Sequence, residues 1–156
     1  MFMLSLLAFA AQAAPDLHAE GVAEISRVDV EGPTLGSGIG VRLGAPISMS
    51  DSNKMRLVPE IGFTGWKCEE LTLIPEAGAQ LTFGNFLRPG IFGHVGMAFS
   101  GEERQLGGDV GAMFSVVLRR LHVGAQLGVQ RYANTSVVGG LQAGISFGDL
   151  DKKRDR

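Results

Sequence analysis

The side chains in this sequence that could do chemistry are ionisable groups placed within otherwise apolar or glycine-rich segments. They are Arg42, Arg56, Glu60, Glu76, His94 and Asp109. Carboxylates and an imidazole can ligate a metal ion, pass a proton or form ion pairs with arginines. Which of these they do depends on the elements that position them.

The chain alternates between apolar and small or polar residues with a period of two, which is the pattern of β-strands. Polar turns separate the alternating segments. We predict strands near 36–44, 55–65, 71–83, 87–99, 109–118, 121–132 and 137–148. An earlier strand lies within 17–31, where a bulge near Ser26 and Arg27 would keep its alternation in phase. The prediction is therefore eight strands.

The two faces of these strands differ in a way that decides the class of barrel. One alternate set carries no charge, and its only polar side chain is Ser37. The other set is mostly glycine, glutamine, threonine and serine and cannot form an apolar core. A closed barrel in lipid needs apolar side chains outside and small or polar side chains inside. We predict an all-β fold, an eight-stranded antiparallel up-and-down transmembrane β-barrel whose inward glycines make room in a narrow lumen.

Turn lengths predict the register of neighbouring strands. Only Arg119 and Arg120 separate Leu118 from Leu121, so the two leucines pair and share the outward face. Two arginines suit a turn with positive φ poorly, and a longer four-residue loop in the same register is the alternative.

Two further turns would place the ionisable groups in one layer. If Phe83 pairs with Leu87, Glu76 faces His94. If Gly65 pairs with Leu71, Glu60 faces Glu76. The inward charged residues would then form a network of ion pairs that closes the lumen, or one glutamate would hold a proton more tightly than usual. Metal binding by Glu60, Glu76 and His94, and passage of protons or ions, are the alternatives. As a structural network the predicted residues are Arg42, Arg56, Glu60, Glu76, His94 and Asp109, with Arg88 also pointing inward.

Aromatic side chains fall near the predicted strand ends, where amphipathic rings suit a membrane interface. They are Phe63, Trp66, Phe83, Phe99, Tyr132 and Phe147. Ordinary apolar packing is the alternative for the phenylalanines.

The N-terminus and the composition add a location and exclude several classes. Residues 1–14 carry no charged side chain and end in small residues, as an export signal does. We predict a signal peptide over 1–13, a barrel domain over 14–148 and a charged tail over 149–156. The chain of 156 residues has 14 basic and 16 acidic side chains and one cysteine. It has no basic field for nucleic acid, no internal disulfide and no zinc-ligand spacing, so we expect no cofactor and no nucleic-acid partner.

The sequence resembles the small outer-membrane β-barrel family of double-membraned bacteria. The segments that carry the resemblance are Leu57–Gly62, Leu73–Gly78 and Leu87–Gly93, which look like that family's Pro-x-x-Gly strand openings, and Phe147 matches its terminal aromatic. The resemblance implies that both termini lie in the periplasm and that barrel-assembly machinery inserts the chain. In this chain the outer connections are short, and the longest connection, Ala45–Lys54, falls on the periplasmic side.

These observations predict an integral outer-membrane barrel with a polar, side-chain-filled lumen and a structural or envelope-interaction role. Its partner is outer-membrane lipid, and we expect a monomer. Lipid-modifying enzymes of that membrane need a serine and a histidine together at the outer rim. His122 follows an inner turn and Ser136 an outer loop, so we predict that the chain is not an enzyme. An outer-membrane lipid-modifying enzyme and a secreted soluble β-barrel that binds a small apolar ligand remain the alternatives.

Overall fold

The fold is seen in a computed structural model, which describes residues 17–29, 32–49, 54–67, 71–132 and 134–147. The predicted signal peptide and charged tail lie outside the described residues and stay predictions. Among the described residues no helix is long and apolar enough to cross a membrane.

Long antiparallel strands account for nearly all of the described chain. They are β1 (Leu17–Asp29), β2 (Gly32–Gly44), β3 (Ile47–Ser48), β4 (Met55–Lys67), β5 (Leu71–Phe83), β6 (Leu87–Ser100), β7 (Glu103–Leu118), β8 (Leu121–Arg131) and β9 (Thr135–Phe147). β7 begins well before the predicted start at 109, because Gly107 and Gly108 continue the strand pairing with β6 instead of forming a loop. The predicted eight-stranded barrel is confirmed, with β3 as a short addition.

The sheet closes on itself. Each long strand pairs with its neighbour in sequence, β1 also pairs with β9, and β2 pairs with β4. β3 pairs with the start of β4 and extends the edge that β2 leaves at Gly44. Closure leaves no long strand with an unpaired edge, which is the condition for a barrel in lipid. We call the end at which β1 begins and β9 ends the terminal end, and the other the distal end.

The register of β7 and β8 is the predicted one. Leu118 pairs with Leu121 and Val116 with Val123. The connection is a two-residue turn, and Arg119 adopts a φ of 59°. The four-residue alternative is therefore wrong, and a non-glycine residue takes the left-handed conformation that this tight turn requires.

Two other registers differ from the prediction. Lys67 pairs with Leu71 and Thr82 with Gly90, so both hairpins are shifted by two residues relative to the predicted pairs. β4 continues to Lys67 rather than stopping at 65, which moves the first turn. A shift of two keeps every side chain on its predicted face, because the strand period is two.

The polarity of the two faces is as predicted. Outward positions expose apolar side chains, with Leu106 at 77% and Ile39 at 74% exposure. Inward positions bury charged, amide and hydroxyl groups together with Val58, Ile74, Phe92, Ala98, Met113 and Val138. The predicted bulge in β1 is also present, between Glu24 and Arg27. The exterior is thus an apolar belt, and the polar and charged side chains are buried on the inward face.

Candidate functional site

Five buried ionisable side chains meet in the middle of the lumen, each from a different strand. They are Arg42 on β2, Glu60 on β4, Glu76 on β5, His94 on β6 and Asp109 on β7. We call them the central cluster. Three carboxylates, one guanidinium and one imidazole are thereby withdrawn from water, which is costly unless they satisfy one another.

Arg42 makes most of the contacts in one half of the central cluster. Its Nε lies 2.8 Å from Glu76 Oε1, and its Nη2 lies 3.9 Å from Asp109 Oδ2. Its Nη1 donates to Gln126 Oε1 at 3.4 Å. Thr64 donates a hydroxyl hydrogen bond of 3.2 Å to the same Glu76 oxygen. A guanidinium that is 1% exposed thus meets acceptors from several strands, with its Nη2 beyond hydrogen-bond distance of Asp109.

His94 is the hub of the other half. Its Nε2 lies 2.6 Å from Glu60 Oε1 and its Nδ1 lies 2.7 Å from Asp109 Oδ1. A neutral imidazole has one N–H and one acceptor nitrogen, whereas ionised carboxylates only accept. Both contacts can be hydrogen bonds only if the Glu60–His94–Asp109 set carries one extra proton, either on the ring or on a carboxyl. An imidazole protonated on both nitrogens would donate to Glu60 and to Asp109 at once.

Two inward glycines allow these side chains to touch. The contacts differ from the predicted ones because the registers are shifted by two residues. Gly78 pairs with Glu60 on one side and with His94 on the other. Because Gly78 has no side chain, Glu60 and His94 meet above it. Gly62 pairs with both Arg42 and Glu76 in the same way. The signal that could have found these contacts is an inward glycine between two ionisable positions.

The cluster has the donor types of a metal site, but its contacts favour an ion-pair network. Ligand atoms of Glu76, His94 and Asp109 lie within 4.8 Å of one another. However, both nitrogens of His94 face carboxylates, and the Arg42 guanidinium fills the position between Glu76 and Asp109. A divalent cation would have to displace that guanidinium.

The structure places Arg56 apart from the central cluster. Arg56 and Arg88 line a cavity nearer the terminal end, together with Thr82, Ser115, His122 and Ser146. Gln80 also reaches this cavity and donates to Glu60 Oε2 at 3.1 Å, which links the two sites. The sequence prediction had grouped Arg56 with the other five residues.

The distal end contains an apolar plug, formed by packed side chains, that the sequence prediction missed. Trp66, at 0% exposure, packs with Ile74, Ala98 and Val138, and Tyr132 packs against them. The proposed interface position of Trp66 and Tyr132 is therefore wrong. Trp66 occupies an inward position of β4, whereas Phe63 and Phe83 are outward and exposed as expected.

His122 and Ser136 lie at opposite ends of the barrel, as predicted. His122 lines the cavity near the terminal end, and Ser136 is buried beside the distal connection between β8 and β9. The same cavity brings His122 near Ser115 and Ser146, a grouping that the sequence did not indicate. Its described lining holds no carboxylate to orient the imidazole, so the described residues do not form an acyl-transfer triad there.

Comparison with solved structures identifies the architecture, although no protein-family model and no curated protein matches the chain. The N-terminal β-barrel domain of Pseudomonas aeruginosa OprF is similar with a TM-score of 0.65 and 14% identity, covering 85% of this chain and 98% of that one. The fold is that of the small outer-membrane barrels. Neisserial surface protein A (TM-score 0.58, 14% identity) covers 85% of this chain and 96% of its own. Ail, the attachment invasion locus protein of Yersinia pestis (0.55, 15%), covers 85% and 99%.

Proposed function

We propose that this chain is an integral protein of a bacterial outer membrane, with a closed lumen and a structural or envelope-interaction role. The observation that carries the proposal is the inverted polarity of the barrel. An exposed belt of leucine, valine, isoleucine and phenylalanine surrounds a buried set of charged and amide side chains. In water such a belt would be an exposed apolar surface far larger than monomeric soluble proteins carry. In a bilayer it is the surface that contacts lipid.

The contents of the lumen support a non-conducting and non-catalytic role. From the distal end inward, the Trp66 plug is followed by the central cluster, and both are made of side chains packed to low exposure. An eight-stranded barrel has an interior just wide enough to be filled by side chains. The central ion pairs tie five strands together, so their function is to hold the closed barrel in one register.

The likeness to OprF, neisserial surface protein A and Ail supports the location, and the uncharged apolar segment that ends in small residues supports export by a signal peptide over 1–13. In this proposal both chain ends face the periplasm, the barrel-assembly machinery inserts the chain, and lipid is its permanent partner. A secreted barrel that binds an apolar ligand would bury the apolar face, which is the reverse of what is observed.

Fractionation tests the proposal directly. The full chain expressed in a double-membraned bacterium is expected in the outer-membrane fraction, with a mature N-terminus at residue 14 and a gel mobility that changes on heating. In planar bilayers the purified protein is expected to show no steady conductance. Recovery in the soluble periplasmic fraction would refute the membrane assignment, whereas a stable open channel would refute the closed lumen alone.

A further inference from the structure

The cavity near the terminal end combines an apolar lining of Pro46, Val58 and Met113 with polar and positively charged side chains. Its described lining includes Arg56, Arg88, Thr82, Ser115, His122 and Ser146. Thr82, Ser115, His122 and Ser146 are buried, while the two arginines are half-buried. No carboxylate is part of the described lining.

Arg88 is only partly used by the protein. Its Nε donates to the Asn85 carbonyl at 3.1 Å, and this is its one partner among the described residues. A guanidinium has five N–H donors, and no described residue accepts from the four on its two Nη atoms. Arg56 lines the same cavity, so two like charges face one space. An anion between them would lower their mutual repulsion.

The rim around the cavity adds further positive charge. Lys54, Arg119 and Arg120 are exposed in the terminal-end connections. Among the side chains that the structure describes, the acidic ones lie in the central cluster or at the distal end, in Glu102 and Glu103. The described part of the terminal end is therefore a basic surface that leads to a basic cavity.

Backbone hydrogen bonds hold this end in a defined shape. Gly84 donates its N–H to Lys54 O at 2.6 Å, and Val117 donates to Phe86 O at 2.8 Å. Ser146 donates to Arg120 O at 2.8 Å. Neighbouring turns are thus fastened to one another, and the side chains that line the cavity stand on strands of a closed barrel. Sites on rigid elements hold their backbone in place, which lowers the ordering cost of binding.

We propose that this cavity binds a phosphate group. The Arg88 guanidinium can offer paired N–H donors to the oxygens of a phosphate, Arg56 adds positive charge to the same cavity, and the hydroxyl groups of its lining can also donate. A lipid headgroup and a free phosphate ion present the same chemistry at this end of the barrel. Binding of a phosphate group at the terminal end is a function in addition to the proposed structural role.

The test uses the purified full-length chain in octyl glucoside, a detergent without phosphate, titrated with inorganic phosphate by calorimetry. The wild type is expected to bind, and Arg88→Gln is expected to weaken binding about tenfold or more, as for loss of a charge-assisted donor. Arg104→Gln is the matched control, because Arg104 is an exposed arginine at the distal end with a cation–π contact to Phe99. The affinity of Arg104→Gln for inorganic phosphate is expected to equal that of the wild type.

A second arm identifies the source of the phosphate. The protein is reconstituted in nanodiscs of phosphatidylglycerol mixed with an uncharged glycolipid, and the lipid it retains is read by native mass spectrometry. Retention by the wild type that is lost in Arg88→Gln, without binding of inorganic phosphate, assigns the site to a headgroup. Absence of both signals, or equal effects of Arg88→Gln and Arg104→Gln, overturns the proposal.

Two controls keep these results interpretable. Heat-modifiable mobility shows whether Arg88→Gln has folded, and Ser115→Ala provides a second variant of the cavity with unchanged charge, expected to weaken binding by a smaller factor. The titration in detergent does not depend on where the protein resides. A failure of the outer-membrane location would therefore leave it unaffected, and a failure of phosphate binding would leave the membrane fractionation unaffected.

Discussion

An arginine placed on the outward belt should cost stability according to its height in the belt. On β7 the exposed apolar positions run from Leu106 to Leu118. With a rise of about 3.3 Å per residue and a tilt of about 40°, each residue advances about 2.5 Å along the barrel axis. Val110 then lies about 5 Å from the mid-height of the belt and Leu118 about 15 Å from it. The apolar band of such barrels is about 25 Å tall, so Leu118 falls outside it.

The expected costs follow from these heights. Val110→Arg should destabilise the protein by about 2–4 kcal/mol in a bilayer, and Leu118→Arg by about 0–1 kcal/mol. Their side chains are 64% and 54% exposed, so neither substitution disturbs the interior. A barrel in water would show no such gradient, because exposed substitutions there usually change stability by less than about 0.5 kcal/mol.

Unfolding by guanidinium in phospholipid vesicles measures the difference. Trp66 is the only tryptophan and is fully buried in the lumen, so its fluorescence reports loss of the barrel, and heat-modifiable mobility gives an independent readout. Val110→Leu serves as the control for side-chain replacement without charge. Equal costs at the two heights, or a Val110→Arg variant as stable as the wild type, would refute the assignment of the belt to lipid.

Three further substitutions test the interior. Arg42→Met should cost about 3–5 kcal/mol of unfolding free energy by leaving buried carboxylates without their partner. The cost should fall when Glu76→Gln is added. Equal costs for Arg42→Met and the exposed Arg104→Met in the same unfolding assay would contradict this. Gly78→Ala should cost about 1–3 kcal/mol or more by overpacking, because its methyl group would meet the Gly93 carbonyl oxygen and the His94 ring. Gly93→Ala is the control and should be nearly neutral, since the atom nearest to its added methyl group, the Asp109 carbonyl oxygen, is 3.7 Å away. Trp66→Ala should cost about 3–5 kcal/mol and loosen the distal plug, and bilayer recordings should then show openings that the wild type lacks.

The architecture could be predicted from the sequence because it depends on the parity of each position. Period-two alternation assigns every strand residue to a face regardless of where the strand starts, so the apolar belt and the inward position of Asp109 survive errors in the strand limits. The hairpin at Arg119 and Arg120 was also predictable, since two residues between two outward leucines leave little freedom. Parity does not fix how far one strand slides along the next, which is why two registers were each wrong by two residues.

The site was harder to predict because its contacts are not between paired residues alone. Asp109 and His94 do pair directly across β6 and β7. Glu60 and His94 belong to strands that are not neighbours, and they meet only because the intervening strand presents a glycine. Sequence reasoning that considers adjacent strands cannot reach such a contact, and it also assigned Trp66 to an interface by its chemical type although its parity placed it inside.

The inward glycines therefore do more than create volume. In a narrow barrel an inward side chain on one strand separates the inward side chains of the two strands on either side of it. A glycine at that position removes the separation and lets residues two strands apart interact, as Glu60 and His94 do over Gly78. Arg42 and Glu76 meet over Gly62 in the same way. The contacts in both halves of the central cluster therefore depend on an inward glycine. Adding a methyl group at either one should disrupt an ion pair without altering any ionisable residue, and this links the glycine content of the sequence to the electrostatics of the lumen.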